Sequence, residues 1–199
     1  MAEFKDLLQR TVSLLEEIDL NYVVVGGLAA IMRGRSRTTT DIDLILKNEP
    51  HLLERFFEGL KARDFDVLDT QVQHALEEDF DFSIFDKRST LRLDIKIAKS
   101  TNDLNALKLA REAHYHGLKI RIIPDELIFW GKIQYLGDIQ SLTDRELLNF
   151  NDVLDFISIY NLYKQNININ WLKAQAKETG LNSTLKRLIH LSKKYTEDE

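Results

Sequence analysis

The sequence has no cysteine, which excludes disulfides and thiolate metal sites and leaves the redox compartment undetermined. Proline is almost as scarce. The two present, Pro50 and Pro124, each sit where a helix should begin. No apolar run is long enough for a bilayer: the longest, Tyr22 to Met32, falls short of the roughly 20 residues a spanning helix needs. The opening residues, Met1-Ala2-Glu3-Phe4-Lys5-Asp6, are too charged for a signal peptide, so a cytoplasmic location with no membrane partner is expected. Positive charge is not in excess either. A formal net charge of −5 gives no overall basic field to draw the chain onto nucleic acid, although Arg33, Arg35 and Arg37 make a local basic patch. A P-loop lysine motif, a Ser-His-Asp grouping and a Rossmann fingerprint are also missing.

What is present is an ordinary globular composition, 44% hydrophobic and 30% charged over 199 residues, enough for one sizeable domain or a compact domain with an appendage. Phe4, Leu7, Leu8, Val12, Leu15 and Ile18 recur at helical spacing and predict a first amphipathic helix. Strands are expected at Tyr22–Val25, Asp41–Leu46, Phe65–Leu68, Asp81–Phe85, Leu91–Ile97 and around Lys119–Ile123. Helices are expected at about Leu28–Arg33, from Pro50 and near Asp103–Ala110, and Val72–Leu76 is read as a helical turn or a loop element. From Pro124 the pattern is helical to the end. Thr143 with Glu146 three residues on is a capping-box signal for a helix running to about Tyr163. Two further helices, near Trp171–Lys177 and Ser183–Lys194, finish the chain. The fold class is therefore α/β (α+β), with residues 1–123 as the core and 124–199 as a helical part packed on it, or the two as one continuous domain with a shared core.

Tyr22-Val23-Val24-Val25-Gly26-Gly27 reads as a buried strand and a tight turn; thirteen residues later comes Asp41-Ile42-Asp43-Leu44. Alternate residues of a strand share a face, so Asp41 and Asp43 point the same way while Ile42, Leu44 and Leu46 bury the other face. Two carboxylates so close raise each other's pKa unless a cation neutralises them, and an oxygen-preferring divalent ion such as Mg²⁺ suits them. The competing reading is a pair of surface carboxylates at a strand end. Strand Leu91–Ile97 alternates most clearly, with Arg92, Asp94 and Lys96 on its polar face. Asp94 could join the first pair if the strands are neighbours, or could merely pair with Arg92 or Lys96. His114 and His116 would share a side of a strand, but no third zinc ligand lies near in sequence, so an exposed strand end is the simpler reading. Trp130, Trp171, Phe80, Phe82 and Phe85 are read as packing.

Taken together, Val25-Gly26-Gly27, Asp41-Ile42-Asp43-Leu44 and Leu93-Asp94-Ile95 resemble the nucleotidyltransferase fold of the DNA polymerase β superfamily. The resemblance implies a small mixed sheet flanked by helices. It also implies divalent metal, Mg²⁺ or Mn²⁺, on Asp41, Asp43 and Asp94, with nucleotide phosphates at Gly26 and Gly27. Many superfamily members carry serine where this chain has Gly27. Ile123-Pro124-Asp125-Glu126-Leu127-Ile128, then Lys132 and Asp152, are similar to the AbiEii-type toxin nucleotidyltransferases, as is the stretch from Arg33 to Thr40. In that subgroup a lysine and a downstream aspartate complete the site. This implies Lys132 as a catalytic and phosphate-binding residue with Asp152 in support, and Arg33, Arg37 and Thr40 as further nucleotide contacts. The implied activity is transfer of a nucleoside monophosphate from an NTP (ATP among them) to an RNA 3′ end, tRNA first, or to a protein hydroxyl. The setting would be toxin–antitoxin or defence, with a cognate antitoxin as partner. The alternative is a catalytically weak, nucleotidyltransferase-like binding or interaction module.

Overall fold

The structure is a computed structural model and describes residues 2–78 and 81–195. Phe80 lies outside the described residues. The chain divides into two compact units, one made of residues 1–29 and 38–124, the other of 30–37 and 125–199.

The first unit opens with α1 (Ala2–Glu17), whose Leu7, Leu8, Val12, Leu14 and Leu15 form a buried stripe at helical spacing. β1 (Tyr22–Val24), buried throughout, leads into α2 (Gly26–Met32), which starts on the glycine pair itself. β2 (Asp41–Leu46) follows, then α3 (Pro50–Lys61), which has proline in its first turn and buries Leu53, Phe56, Phe57 and Leu60. β3 (Phe65–Asp66), α4 (Asp69–Glu77), β4 (Phe82–Asp86) and β5 (Arg92–Ile97) come next. α5 (Thr101–Leu109) begins on a capping box in which Ser100 and Asp103 each satisfy the other's backbone N–H. β6 (Arg111–Tyr115) and β7 (Leu118–Ile122) close the unit as a hairpin whose turn residues, His116 and Gly117, both have positive φ.

Among the described residues seven strands form one mixed sheet in the order β3-β4-β5-β2-β1-β7-β6. The central pairs are β2–β5, parallel, and β1–β2, antiparallel; β1–β7 is parallel and the outer pairs are antiparallel. β2 and β5 share one burial pattern: Ile42, Leu44 and Leu46 on one strand and Leu93, Ile95 and Ile97 on the other are buried, and every intervening residue is partly exposed. Since side chains alternate across a strand, this places Asp41, Asp43, Arg92 and Asp94 together on the opposite face.

The second unit is helical: α6 (Asp125–Leu136), α7 (Asp144–Leu147), α8 (Asn151–Tyr163), α9 (Ile169–Glu178) and α10 (Asn182–Lys194). Phe129 of α6 packs edge-on against Phe156 of α8, centroids 5.0 Å apart, and Trp130 meets Trp171 edge-on at 6.5 Å. Leu172, Leu185, Leu188 and Leu191 complete the interior. No described helix is long and apolar enough to cross a membrane.

The structure corrects three readings. The Thr143–Glu146 capping box is present, but it opens the single-turn α7 and not a helix reaching Tyr163. The side chain of Asn149 donates to the carbonyl of Arg145, Asn149 N–H and Phe150 N–H make i−3 bonds, and the chain restarts at Asn151. Phe85, expected to pack on the sheet, is 55% exposed, because Phe82 and Ile84 take the inward positions of β4 and alternation turns Phe85 to solvent. His114 lies in β6, an exposed strand as expected there, but His116 lies in the turn that follows it and does not share a strand face with His114.

Candidate active site

The strand register sets the geometry. Across β2–β5, Asp43 faces Asp94 and Asp41 faces Arg92, so three carboxylates and one guanidinium occupy adjacent positions on one face. Arg92 N–H donates to the Thr40 carbonyl at 3.1 Å, which carries the ladder one residue beyond β2. The Arg92 side chain then forks. Its Nε lies 2.9 and 3.1 Å from the two oxygens of Asp94, and Nη2 lies 3.1 Å from Asp41 Oδ2. Each carboxylate also accepts a hydroxyl: Thr39 Oγ1 donates to Asp41 Oδ1 and Ser83 Oγ to Asp94 Oδ1, both at 2.5 Å. The hydrogen bond to Asp94, followed by the charges of Asp94, Asp41 and Asp43, outweighs partial burial and makes the Arg92 guanidinium harder to deprotonate than usual.

Asp43 is held by the glycine turn. Gly27 N–H donates to Asp43 Oδ2 at 3.1 Å, and Val25 N–H donates to the Asp43 carbonyl at 3.0 Å. Gly26 has φ +59°, and a Cβ added there would lie 2.0 Å from Asp43 Oδ2. Two separate constraints therefore demand glycine at this position: left-handed backbone and direct contact with a carboxylate.

These residues fit a divalent cation by their donor chemistry. All three acids offer hard oxygen ligands of the kind Mg²⁺ and Mn²⁺ accept, and a cation, the Arg92 guanidinium, already stands between Asp41 and Asp94. Among the described residues no group of three or more His, Cys, Asp or Glu side chains is placed so that it could hold a metal ion. Asp41 and Asp94 are turned towards Arg92, and Asp43 towards the glycine turn.

In the second unit a separate ionic cluster gathers on Asp155, which is fully buried. Lys132, itself 6% exposed, donates to Asp152 Oδ1 at 2.7 Å and makes an ion contact of the same length with Asp155 Oδ2. Arg35 and Arg37 approach Asp155 Oδ1 through Nε at 3.3 and 3.2 Å. Arg33 pairs with Asp125. Each basic residue expected to contact phosphate is thus engaged with an acid of its own unit, and Asp152 is the hydrogen-bonding partner of Lys132.

Three participants were missed. Asp155 had a visible signal, an acid in the apolar run Val153-Leu154-Asp155-Phe156-Ile157, where a charge is seldom tolerated without partners. Arg92 was seen only as a pairing partner for Asp94, and its second bond, to Asp41, depends on strand order. Ser83 reaches Asp94 across β4–β5, where the two residues are register partners, a pairing no local pattern reveals.

No protein-family model matches the chain, and no curated protein does. Solved structures are similar in fold. The antibiotic-resistance factor ANT(2'')-Ia gives a TM-score of 0.54 at 17% identity, with 100% of both chains covered. An antigenic nucleotidyltransferase-like protein from Paracoccidioides brasiliensis gives 0.52 at 17%, covering 92% of this chain and 89% of that one. A Thermotoga maritima protein, provisionally described as a nucleotidyltransferase, gives 0.52 at 16%, covering 75% and 94%. With its mixed sheet and its carboxylates in register beside a glycine turn, the chain has the nucleotidyltransferase fold.

Proposed function

We propose that this chain is a nucleotidyltransferase that moves a nucleoside monophosphate from an NTP to an acceptor hydroxyl and releases pyrophosphate. The observation that carries the reading is the register of β2 and β5, which sets Asp43 against Asp94 with Asp41 beside them on the same face. The acceptor oxygen attacks the α-phosphorus, the bond from that phosphorus to the bridging oxygen breaks, and the acceptor's proton passes to Asp94. Asp41, Asp43 and Asp94 would hold Mg²⁺ or Mn²⁺, which when bound neutralises triphosphate charge and lowers the pKa of the attacking hydroxyl. Thr39 and Ser83 fix the orientation of Asp41 and Asp94. Gly26 and Gly27 form the proposed phosphate turn, and Thr40 is a further proposed nucleotide contact. In the second unit, Lys132, Arg33 and Arg37 are proposed anion-binding residues, with Asp152 holding Lys132. Support for Lys132 and Arg37 comes from the charges of their cluster, in which Lys132, Arg35 and Arg37 outnumber Asp152 and Asp155.

For the acceptor we favour an RNA 3′ end, tRNA first, or a protein hydroxyl in a toxin–antitoxin setting with a cognate antitoxin, on the strength of the resemblance around Pro124, Lys132 and Asp152. A small-molecule hydroxyl is the second reading, favoured by the likeness to an antibiotic-resistance factor over the whole of both chains. The test is incubation with Mg²⁺ and each α-³²P-labelled NTP, in parallel with tRNA, a protein extract and hydroxyl-bearing antibiotics. Label should move to one acceptor class with the wild type and stay on the nucleotide with Asp41→Asn or Asp43→Asn. Equal transfer by those variants would overturn the mechanism; NTP binding with no transfer to any acceptor would favour a binding module.

A further inference from the structure

We propose that Arg92 is the resident counter-cation of the carboxylate face, a group that a divalent ion must displace, so that its guanidinium sets the threshold for metal loading. The inference rests on the reading of Asp41, Asp43 and Asp94 as a metal site. It concerns a positioning residue that acts on the site through the acids it holds.

Three observations carry it. First, the guanidinium engages the oxygens a metal would need, reaching both oxygens of Asp94 and one of Asp41 within 3.1 Å. A guanidinium in that place competes with a metal for the lone pairs of those oxygens, and its positive charge opposes a second cation beside it. Second, the Arg92 side chain is 36% exposed, while Asp41 and Asp94 are 24% and 28% exposed. It can therefore leave into solvent without stranding a buried charge, a very different situation from that of Lys132 and Asp155. Third, the acids do not depend on Arg92 for their position. Thr39 holds one oxygen of Asp41, Ser83 one oxygen of Asp94 and the glycine turn holds Asp43, so each acid stays on this face when the guanidinium departs, while Asp41 and Asp94 are released from their turn towards it. A fixed strut would be the only tie on the groups it joins; here both acids that Arg92 joins have a second one.

Charge balance explains why such a group is needed. Three carboxylates in adjacent register positions repel one another, and one guanidinium offsets part of that repulsion in the metal-free protein. A doubly charged ion attracts the same oxygens more strongly at equal distance, so the exchange runs towards metal once its concentration is sufficient.

The test is a titration of the full chain with Mn²⁺, read as loss of the free-ion paramagnetic resonance signal and as the change in melting temperature. Wild type, Arg92→Gln, Arg92→Lys and Asp43→Asn are compared. Arg92→Gln should bind Mn²⁺ about tenfold more tightly than wild type, equivalent to about 1.4 kcal/mol. Without metal it should melt lower than wild type, and it should gain more from saturating Mn²⁺. Arg92→Lys, which keeps the charge and loses the fork, should stay close to wild type. Wild-type binding that Asp43→Asn removes, with Arg92→Gln no tighter than wild type, would overturn the inference and leave the metal reading standing. No binding by wild type or Arg92→Gln, or undiminished binding by Asp43→Asn, would overturn the metal reading and the inference with it. A readout on the unaltered protein covers the case of a misfolded variant. The Arg92 Nε–H resonance should shift and exchange faster with water on Mg²⁺ saturation; an unmoved resonance would refute displacement.

Discussion

Gly26 shows how much a single residue can decide. Its φ of +59° costs an L-residue about 1–3 kcal/mol wherever it occurs, but the site adds a constraint of its own, because a Cβ would lie 2.0 Å from the Asp43 carboxylate oxygen and 2.9 Å from its Cβ. The side chain of Asp43 cannot escape by rotating its tip alone, so Gly26→Ala must push Asp43 off its register opposite Asp94. Gly117 is the natural control. Its φ is +84°, yet nothing lies within 4 Å of an added Cβ. Gly117→Ala should therefore lose about 1–3 kcal/mol of stability in urea unfolding, and Gly26→Ala should lose more, because Asp43 must also move. Only Gly26→Ala should lose nucleotidyl transfer, by about 10²-fold, the scale on which a 1 Å misplacement acts. Equal activity in the two variants would show that the close approach of Asp43 to the turn does not matter to the chemistry.

At the scale of elements, Arg10 of α1 shows how the first unit is tied together. It donates to Asp86 at the end of β4 and to the carbonyl of Arg63, and its guanidinium lies 4.6 Å above the ring of Phe65 in β3. Burial pushes the Asp86 carboxyl up, but hydrogen bonds from Ser89 and Arg10 outweigh it, and the net displacement is below the ordinary carboxylate value. The sign follows from proton linkage. A depressed carboxyl contributes its stability above the unfolded-state pKa and loses it as the pH falls through the folded value. Asp86→Asn should accordingly be less stable than wild type at neutral pH by about 1–3 kcal/mol, with the gap narrowing as the pH falls below the ordinary aspartate range. A gap unchanged from pH 7 to pH 3 would remove the ion pair from the account. This network left no trace in local pattern, because its members are 76 residues apart. β2 and β5, by contrast, were legible because each buries one face and so writes a period of two into the sequence. β6 has no fully buried residue and hence no such period. The gap between α7 and α8 turned on side-chain competition at Asn149, and the carboxylate face was readable only up to strand order, which decides that Asp94 meets Asp43 and that Arg92 reaches Asp41.

For the molecule as a whole, net charge and the acidic face make one further demand. A chain of formal charge −5 with three carboxylates on its candidate site repels a polyanion, and the single guanidinium among them is already shared between two acids. An NTP should therefore bind only in company with a divalent ion. Ligand that binds the native state raises its stability by mass action, about 2.7 kcal/mol at a hundredfold excess over Kd. For a chain of this size that corresponds to a rise of about 5–10 °C in melting temperature. In calorimetry, Mg²⁺ plus NTP should raise the wild-type melting temperature by that order, NTP alone should leave it close to unchanged, and Asp43→Asn should abolish the combined effect. A rise with NTP alone as large as with Mg²⁺ present would place nucleotide recognition on the protein's own cations and not on the carboxylate face. The basic cluster around Asp155, with Lys132, Arg35 and Arg37, would then be the place to look, and Lys132→Met would be the variant to lose the shift.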